Sequence, residues 1–139
     1  MDDPNNNRKG HIVGFGGVFF KAQRPADLAQ WYKEILGIPV SDAGVALFKR
    51  SRIDDFAHNE ITLWAPFEHN SQYFAPSESG FMINYLVDDL NILLERLKSR
   101  GILPVQPIEI TKDGKFAWIM DPEGNKIELW QPLRPEDEA

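Results

Sequence analysis

The stretch Asp121-Pro122-Glu123-Gly124-Asn125-Lys126-Ile127-Glu128-Leu129-Trp130 decides the reading of this chain. Its first half is turn chemistry: Asp, Pro, Gly and Asn each favour a tight reversal for a distinct backbone reason. Its second half is a β-prone segment in which Ile127 and Leu129 alternate with Glu128 and Trp130. The tetrad Ile127-Glu128-Leu129-Trp130 matches Ile61-Thr62-Leu63-Trp64 at an offset of 66 residues, and Gly101 follows Gly37 at an offset of 64. Ile102-Leu103-Pro104-Val105 likewise echoes Gly37-Ile38-Pro39-Val40. A near-constant offset spanning a helix end, a proline and a strand marks an internal repeat. The alternative is an ordinary α+β domain with coincidental echoes.

Working outward, each copy has the same order of elements. Residues 14–22 predict a strand. Leu28, Trp31, Tyr32, Ile35 and Leu36 recur at helical spacing, with Pro25 in the first turn and Gly37 as the stop. Val45–Lys49 and Glu60–Trp64 predict the strands that follow, and Ala65–Ser79 a joint. The second copy predicts a strand over Phe81–Val87 and a helix capped at Asp88 or Asp89 with the stripe Leu90, Leu93, Leu94 and Leu97. Val105–Ile110, Lys115–Met120 and Lys126–Trp130 predict three more strands. The expected fold is therefore α+β: two βαβββ modules, 14–65 and 80–131, in one domain over 11–132, with flexible tails at 1–10 and 133–139. Each sheet carries its helix on one face, and its other face, also apolar, must be covered. Curled mixed sheets around a cleft satisfy that demand. Alternation then turns Ile127 and Leu129 to the helix and Glu128 to the concave side.

Composition bounds the function. The chain has 139 residues, enough for one domain, with 42% hydrophobic and 12% aromatic residues and a net charge of −6. Mild acidity without a basic stripe argues against nucleic acid as a partner. The absence of cysteine excludes disulfides, zinc–thiolate sites and a thiol nucleophile. No apolar run approaches bilayer length, and the start is polar and Asn-rich, so a cytoplasmic protein without a membrane partner is expected.

The stretch from Asp121 to Trp130 resembles the closing strand pair of the vicinal oxygen chelate superfamily, which includes glyoxalase I, bleomycin and fosfomycin resistance proteins and extradiol dioxygenases. Leu28-Ala29-Gln30-Trp31-Tyr32-Lys33-Glu34-Ile35-Leu36-Gly37 resembles its first helix, and Leu86-Val87-Asp88-Asp89-Leu90 the entry to its second. The resemblance runs from about Phe15 to Pro132, and its motifs speak for the fold more than for the reaction. It implies a divalent metal held by His and Glu from the first and last strands of each module. Carried over, those positions are Gly17, Thr62, Met82 and Glu128. Glycine has no side chain, a thioether is a poor ligand for hard cations, and threonine rarely ligates. Glu128 is the only matching ligand position, so no metal and no other cofactor are expected. The resemblance also implies a homodimer, and exposed sheet edges would favour one.

Glu128 is the sharpest candidate. Burial among aromatic rings would favour its neutral form and move it toward the range of a general base. Salt bridging or contact with water is the plain reading. His58, ending the loop Ser51–Asn59, is a candidate acid–base partner, and Tyr85 another. Phe48, Trp64, Trp118 and Trp130, with Phe116 and Tyr85, are candidate pocket walls, or simply core. Met82 and Asn84 alternate onto one face, where the Asn84 amide could meet a ligand. The expected function is a glyoxalase/bleomycin-resistance-like protein that binds or sequesters a small organic molecule in an aromatic pocket. The alternative is a glyoxalase-related lyase or isomerase, a dioxygenase-type relative or another small-molecule enzyme, with Glu128 as base and with or without a divalent metal.

Overall fold

The structure is a computed structural model that describes residues 9–50 and 60–133. The elements are β1 (Ile12–Ala22), α1 (Pro25–Leu36), β2 (Ala46–Arg50), β3 (Glu60–Glu68), β4 (Phe81–Val87), α2 (Leu90–Ser99), β5 (Glu109–Thr111), β6 (Gly114–Met120) and β7 (Lys126–Pro132). The chain is α+β, as its pattern implies. It divides into two compact units, one over Gly16–Ile83 and one joining the N-terminal stretch through Phe15 to the chain from Asn84 onward. The cuts fall inside β1 and β4. No described helix is long and apolar enough to cross a membrane.

In the Gly16–Ile83 unit, β3 lies between β2 and β1, antiparallel to β2 and parallel to β1. Pro25 sits in the first turn of α1, where a missing N–H costs nothing. Gly37 ends the helix in the left-handed conformation (φ 73°), and the N–H groups of Gly37 and Ile38 donate to the Lys33 and Tyr32 carbonyls. The buried edge of α1 centres on Ala29, with Leu28 and Tyr32 beside it, while Trp31, Ile35 and Leu36 stay exposed. The expected stripe is thus only half covered: a small residue, Ala29, lets that edge of the helix approach closely. Behind β1 and β3, Phe19, Phe67, Tyr73 and Phe74 form an aromatic cluster with ring separations of 5.2–6.4 Å. Phe74 is fully buried. The expected joint is therefore part strand, since β3 runs on to Glu68, and part packed segment.

In the other unit the strand order is β4-β7-β6-β5. α2 packs its Leu90 and Leu93 with Val87, Ala117 and Leu129, and Leu94, Leu97, Ile119 and Ile127 close around them, which is the predicted stripe. Asp89 caps α2 by accepting from the Ile92 N–H at 3.0 Å. A second free N–H of the first turn, that of Leu90, donates to the Gln131 side chain at 2.7 Å. β5 is shorter than expected, beginning at Glu109: the Val105 N–H still donates to the Trp118 carbonyl at 2.9 Å, but Pro107 has no N–H with which to continue a ladder.

The first described residues are tied down. The Asp88 carboxylate accepts from the backbone N–H of Lys9, His11 and Asp89 at 2.7–2.9 Å, and Arg96 donates to the Lys9 and Gly10 carbonyls. Partial burial would raise the Asp88 pKa, but the backbone donors of Lys9, His11, Asp89 and Gly10 outweigh it and hold the group below its ordinary 3.8. A lowered carboxylate pKa stabilises above the unfolded value and is lost as pH falls through the folded one. Asp88→Asn should therefore lower the melting temperature at neutral pH and flatten its decline below pH 3.8. Thermal melts by circular dichroism between pH 2 and 7 test this, and an unchanged acid limb would rule out the Asp88 contribution.

Gly17 carries a second constraint. It has φ 142°, and a Cβ there would lie 2.2 Å from the Leu63 carbonyl oxygen and 2.6 Å from the Leu63 nitrogen. Gly17→Ala should destabilise the fold by roughly 2–4 kcal/mol, combining backbone strain with a clash against backbone that cannot yield. Urea titration reads this, and a loss below about 1 kcal/mol would show that β1 and β3 can separate at no great cost.

Candidate functional site

Period two in β7 and its register with β6 build the site. Lys126, Glu128 and Trp130 pair with Met120, Trp118 and Phe116 respectively, so these six share one face. Ile127 and Leu129 face α2. The rings of Phe116 and Trp130 stack at 5.8 Å with an interplanar angle of 6°, and Phe116 and Trp118 at 6.4 Å and 17°. The Trp130 indole N–H is held by the Asp113 carbonyl at 2.8 Å.

Glu128 stands amid these rings, 2% exposed. Its two oxygens are engaged from opposite neighbours of β7: Asn84 Nδ2, from β4, donates to Oε1 at 2.6 Å, and Trp118 Nε1, from β6, donates to Oε2 at 2.9 Å. Donors aimed at both oxygens compensate part of the cost of removing a carboxylate from water. Asn84 is itself fully buried, and its Oδ1 finds no hydrogen-bond donor among the described residues. Lys126 completes the group. Its ammonium donates to Gln106 Oε1 at 2.8 Å and lies 5.9 Å from the centre of the Trp118 ring. Burial pushes the Lys126 pKa down, and the Glu128 charge offsets part of that fall.

The structure thus brings Glu128, Asn84, Trp118 and Trp130 together. Met82 is fully buried in β4. Phe48, in β2, is 40% exposed. Trp64 sits with Phe20 at 5.3 Å and with Tyr32 of α1 at 4.9 Å. His58 lies outside the described residues. Tyr85 packs with the α2 core, on the face away from Glu128, so it stands apart from the base it was expected to assist. Lys126 takes its place beside the carboxylate. Alternation back from Glu128 puts Lys126 on the same face, a signal present in the sequence. The Asp121–Asn125 turn is explained by its own hydrogen bonds: the Asp121 carboxylate accepts from the Glu123 and Asn125 N–H groups at 2.9 and 2.8 Å.

Trp64 marks a difference between the modules. Val18, Trp64 and Ala46 are paired across three strands, so Trp64 and, by alternation, Thr62 face α1. In module two it is Ile127 and Leu129 that face the helix. The matching tetrads therefore present opposite positions to their helices, and Thr62 is not the structural counterpart of Glu128.

These placements bear on a metal. Both Glu128 oxygens already accept N–H groups, Gly17 has no room for any side chain, and no cluster of three or more His, Cys, Asp or Glu suited to an ion occurs among the described residues. Among the described residues, the positions that the resemblance assigns to a metal offer one carboxylate, Glu128, whose oxygens both accept N–H groups already.

The model of the Glyoxalase/Bleomycin resistance protein/Dioxygenase superfamily matches residues 11–129. The chain belongs to this superfamily. No curated protein matches it by sequence. Among solved structures, methylmalonyl-CoA epimerase from Mycobacterium tuberculosis is similar with a TM-score of 0.60 and 16% identity, over 96% of this chain and 95% of that one. A variant of the Streptomyces coelicolor methylmalonyl-CoA epimerase in complex with 2-nitronate-propionyl-CoA gives a TM-score of 0.62 at 12% identity, over 88% and 99%. A superfamily member from Vibrio splendidus 12B01 gives 0.52 at 14%, over 88% and 98%. At these identities the likeness is one of fold.

Glu128→Gln tests the network within this superfamily member. The new amide keeps an oxygen for one donor but turns an NH2 group toward the other. That mismatch should cost about 1–3 kcal/mol. Urea titration read by tryptophan fluorescence would report it, and an unaltered midpoint would mean that water reaches Glu128.

Proposed function

We propose that this protein binds a small aromatic molecule without a metal, on the face of module two that carries Glu128. The observation that carries the reading is the Asn84 carbonyl oxygen: a fully buried acceptor without a donor among the described residues, beside a carboxylate and three stacked rings. A buried unpaired acceptor costs about 1–3 kcal/mol, which a ligand hydroxyl or N–H would recover. The rings favour a flat partner. A homodimer belongs to the same reading, supported by the exposed Ile12, Val13 and Phe15 at the start of β1.

A second reading is an enzyme in which Glu128 removes a proton from carbon. Two observations favour it: the Lys126 ammonium beside the carboxylate, and the likeness to structures described as epimerases of methylmalonyl-CoA. Lys126 would then steady the negative charge that passes from Glu128 to the substrate carbon as the proton moves.

Calorimetric titration of dialysed protein with phenol and with anisole, which has the same ring without the donor, separates these readings. Phenol should bind about tenfold more tightly, a preference worth about 1.4 kcal/mol, and Asn84→Leu should remove it. Equal affinities would defeat the binding reading. Near-stoichiometric divalent metal, lost in Glu128→Ala, would overturn its metal-independent part. Solvent deuterium entering an α-carbon of an acyl thioester with the wild type but not with Glu128→Gln would establish the enzyme.

A further inference from the structure

An ammonium steadies charge on a substrate only if it is held in place, and lysine carries its ammonium on a long flexible stem. In this protein the stem is fixed. Lys126 stands in β7 two residues before Glu128 and on the same face, and it is 2% exposed. Its ammonium donates to Gln106 Oε1 at 2.8 Å and lies 5.9 Å from the centre of the Trp118 ring. Trp118 in turn donates its indole N–H to Glu128, so ring, ammonium and carboxylate form one group.

Gln106 comes from outside the β4-β7-β6-β5 ladders. It lies in the connection from α2 to β5, between Pro104 and Pro107, whose rings restrict the backbone on either side. The Val105 N–H donates to the Trp118 carbonyl at 2.9 Å and ties that connection to β6. Gln106 is half-buried. Only its carbonyl oxygen can accept from an ammonium, so this hydrogen bond also sets which way the amide is turned. The amide is neutral. It fixes the ammonium and leaves its charge in force, whereas a carboxylate at the same position would cancel that charge.

We propose that Gln106 is a positioning residue, which holds the Lys126 ammonium where negative charge forms when Glu128 takes a proton from carbon. This role rests on the enzyme reading above and adds its substrate class, a carbonyl compound with hydrogen on the α-carbon. As that C–H bond breaks, the proton passes to Glu128. The electron pair forms a double bond to the carbonyl carbon, and the charge collects on the carbonyl oxygen, which Lys126 steadies. Return of a proton from Glu128 to the α-carbon reverses each change, so no oxidant or second reactant takes part.

The test uses the full chain and its Gln106→Glu, Gln106→Leu and Lys126→Met variants. Deuterium entering the α-carbon of S-propanoyl-N-acetylcysteamine, a short acyl thioester, from heavy water reads the reaction. Gln106→Glu keeps an acceptor for Lys126 and cancels its charge. Its melting temperature should equal or exceed that of the wild type, while kcat falls about tenfold and KM changes less than about twofold. A merely structural glutamine would leave the glutamate variant fully active. Gln106→Leu should lower kcat by a similar factor, because the ammonium loses its anchor. The Trp118 indole N–H gives a reading that needs no substrate. Its nitrogen–proton resonance, identified with Trp118→Phe, should move in Gln106→Leu as it does in Lys126→Met. A wild type that exchanges no deuterium overturns the enzyme reading and this role with it. Exchange that Gln106→Glu leaves at the wild-type rate overturns the role of Gln106 alone, and so does a Trp118 resonance that Gln106→Leu leaves in place.

Discussion

A carboxylate buried at the centre of a strand must be answered from the strands on either side, and Glu128 is answered in this way. β7 lies between β4 and β6, and each neighbour supplies one N–H donor, Asn84 from β4 and Trp118 from β6. Shifting either strand by one residue would carry its donor to the opposite face. The hydrogen bonds that make Glu128 tolerable thus also pin the register of the strands that hold it. The stacked rings follow from the same register, since Phe116 pairs with Trp130 just as Trp118 pairs with Glu128. Site and scaffold here are one arrangement seen from two sides.

The two modules share a plan and differ in how they use it. Both begin with a strand, turn through a helix stopped by a left-handed glycine, and return by strands that pair antiparallel. In module two the helix covers Ile127 and Leu129 and leaves Glu128 on the other face. In module one the helix side takes Trp64, and the indole joins Phe20 and Tyr32. A one-residue difference of face is enough to turn an aromatic residue from one side of the sheet to the other. The repeat therefore duplicates the architecture and leaves the chemistry of each half to be set locally.

Much of this was legible before any coordinates. The first-turn proline Pro25, the stop at Gly37, the cap at Asp88 or Asp89, the stripe of α2 and the alternation around Glu128 are local patterns, and local patterns are what a sequence displays. Superfamily membership could be read from the same stretches. The unreadable parts depend on partners far away in the chain. Nothing near Glu128 names Asn84, 44 residues off, as its donor. The stripe of α1 says that Trp31 and Leu28 share a side, but only the approach of Ala29 to its sheet decides which of them is covered. The shortening of β5 could have been inferred, because Pro107 was in plain view. The expected strand over Val105–Ile110 rested on β-propensity, and Pro107, which has no N–H to give, confines the ladder to Glu109–Thr111.

The position of Gly17 connects packing to chemistry. In the superfamily resemblance this is where a metal ligand would stand on the first strand. Here the Leu63 backbone fills the space that a Cβ would need, so the glycine is a condition of the close pairing of β1 and β3 rather than a mere gap. Restoring a ligand there would require the two strands to move apart, and their aromatic cover on both faces opposes that. Glu128, for its part, is held by neutral donors and a neighbouring ammonium, groups that orient a carboxylate as a cation would. In the metal-independent reading these two features belong together. A chain that packs its strands too tightly for a second ligand keeps its remaining carboxylate by hydrogen bonding it, and a carboxylate so held is suited to recognising a molecule or accepting a proton.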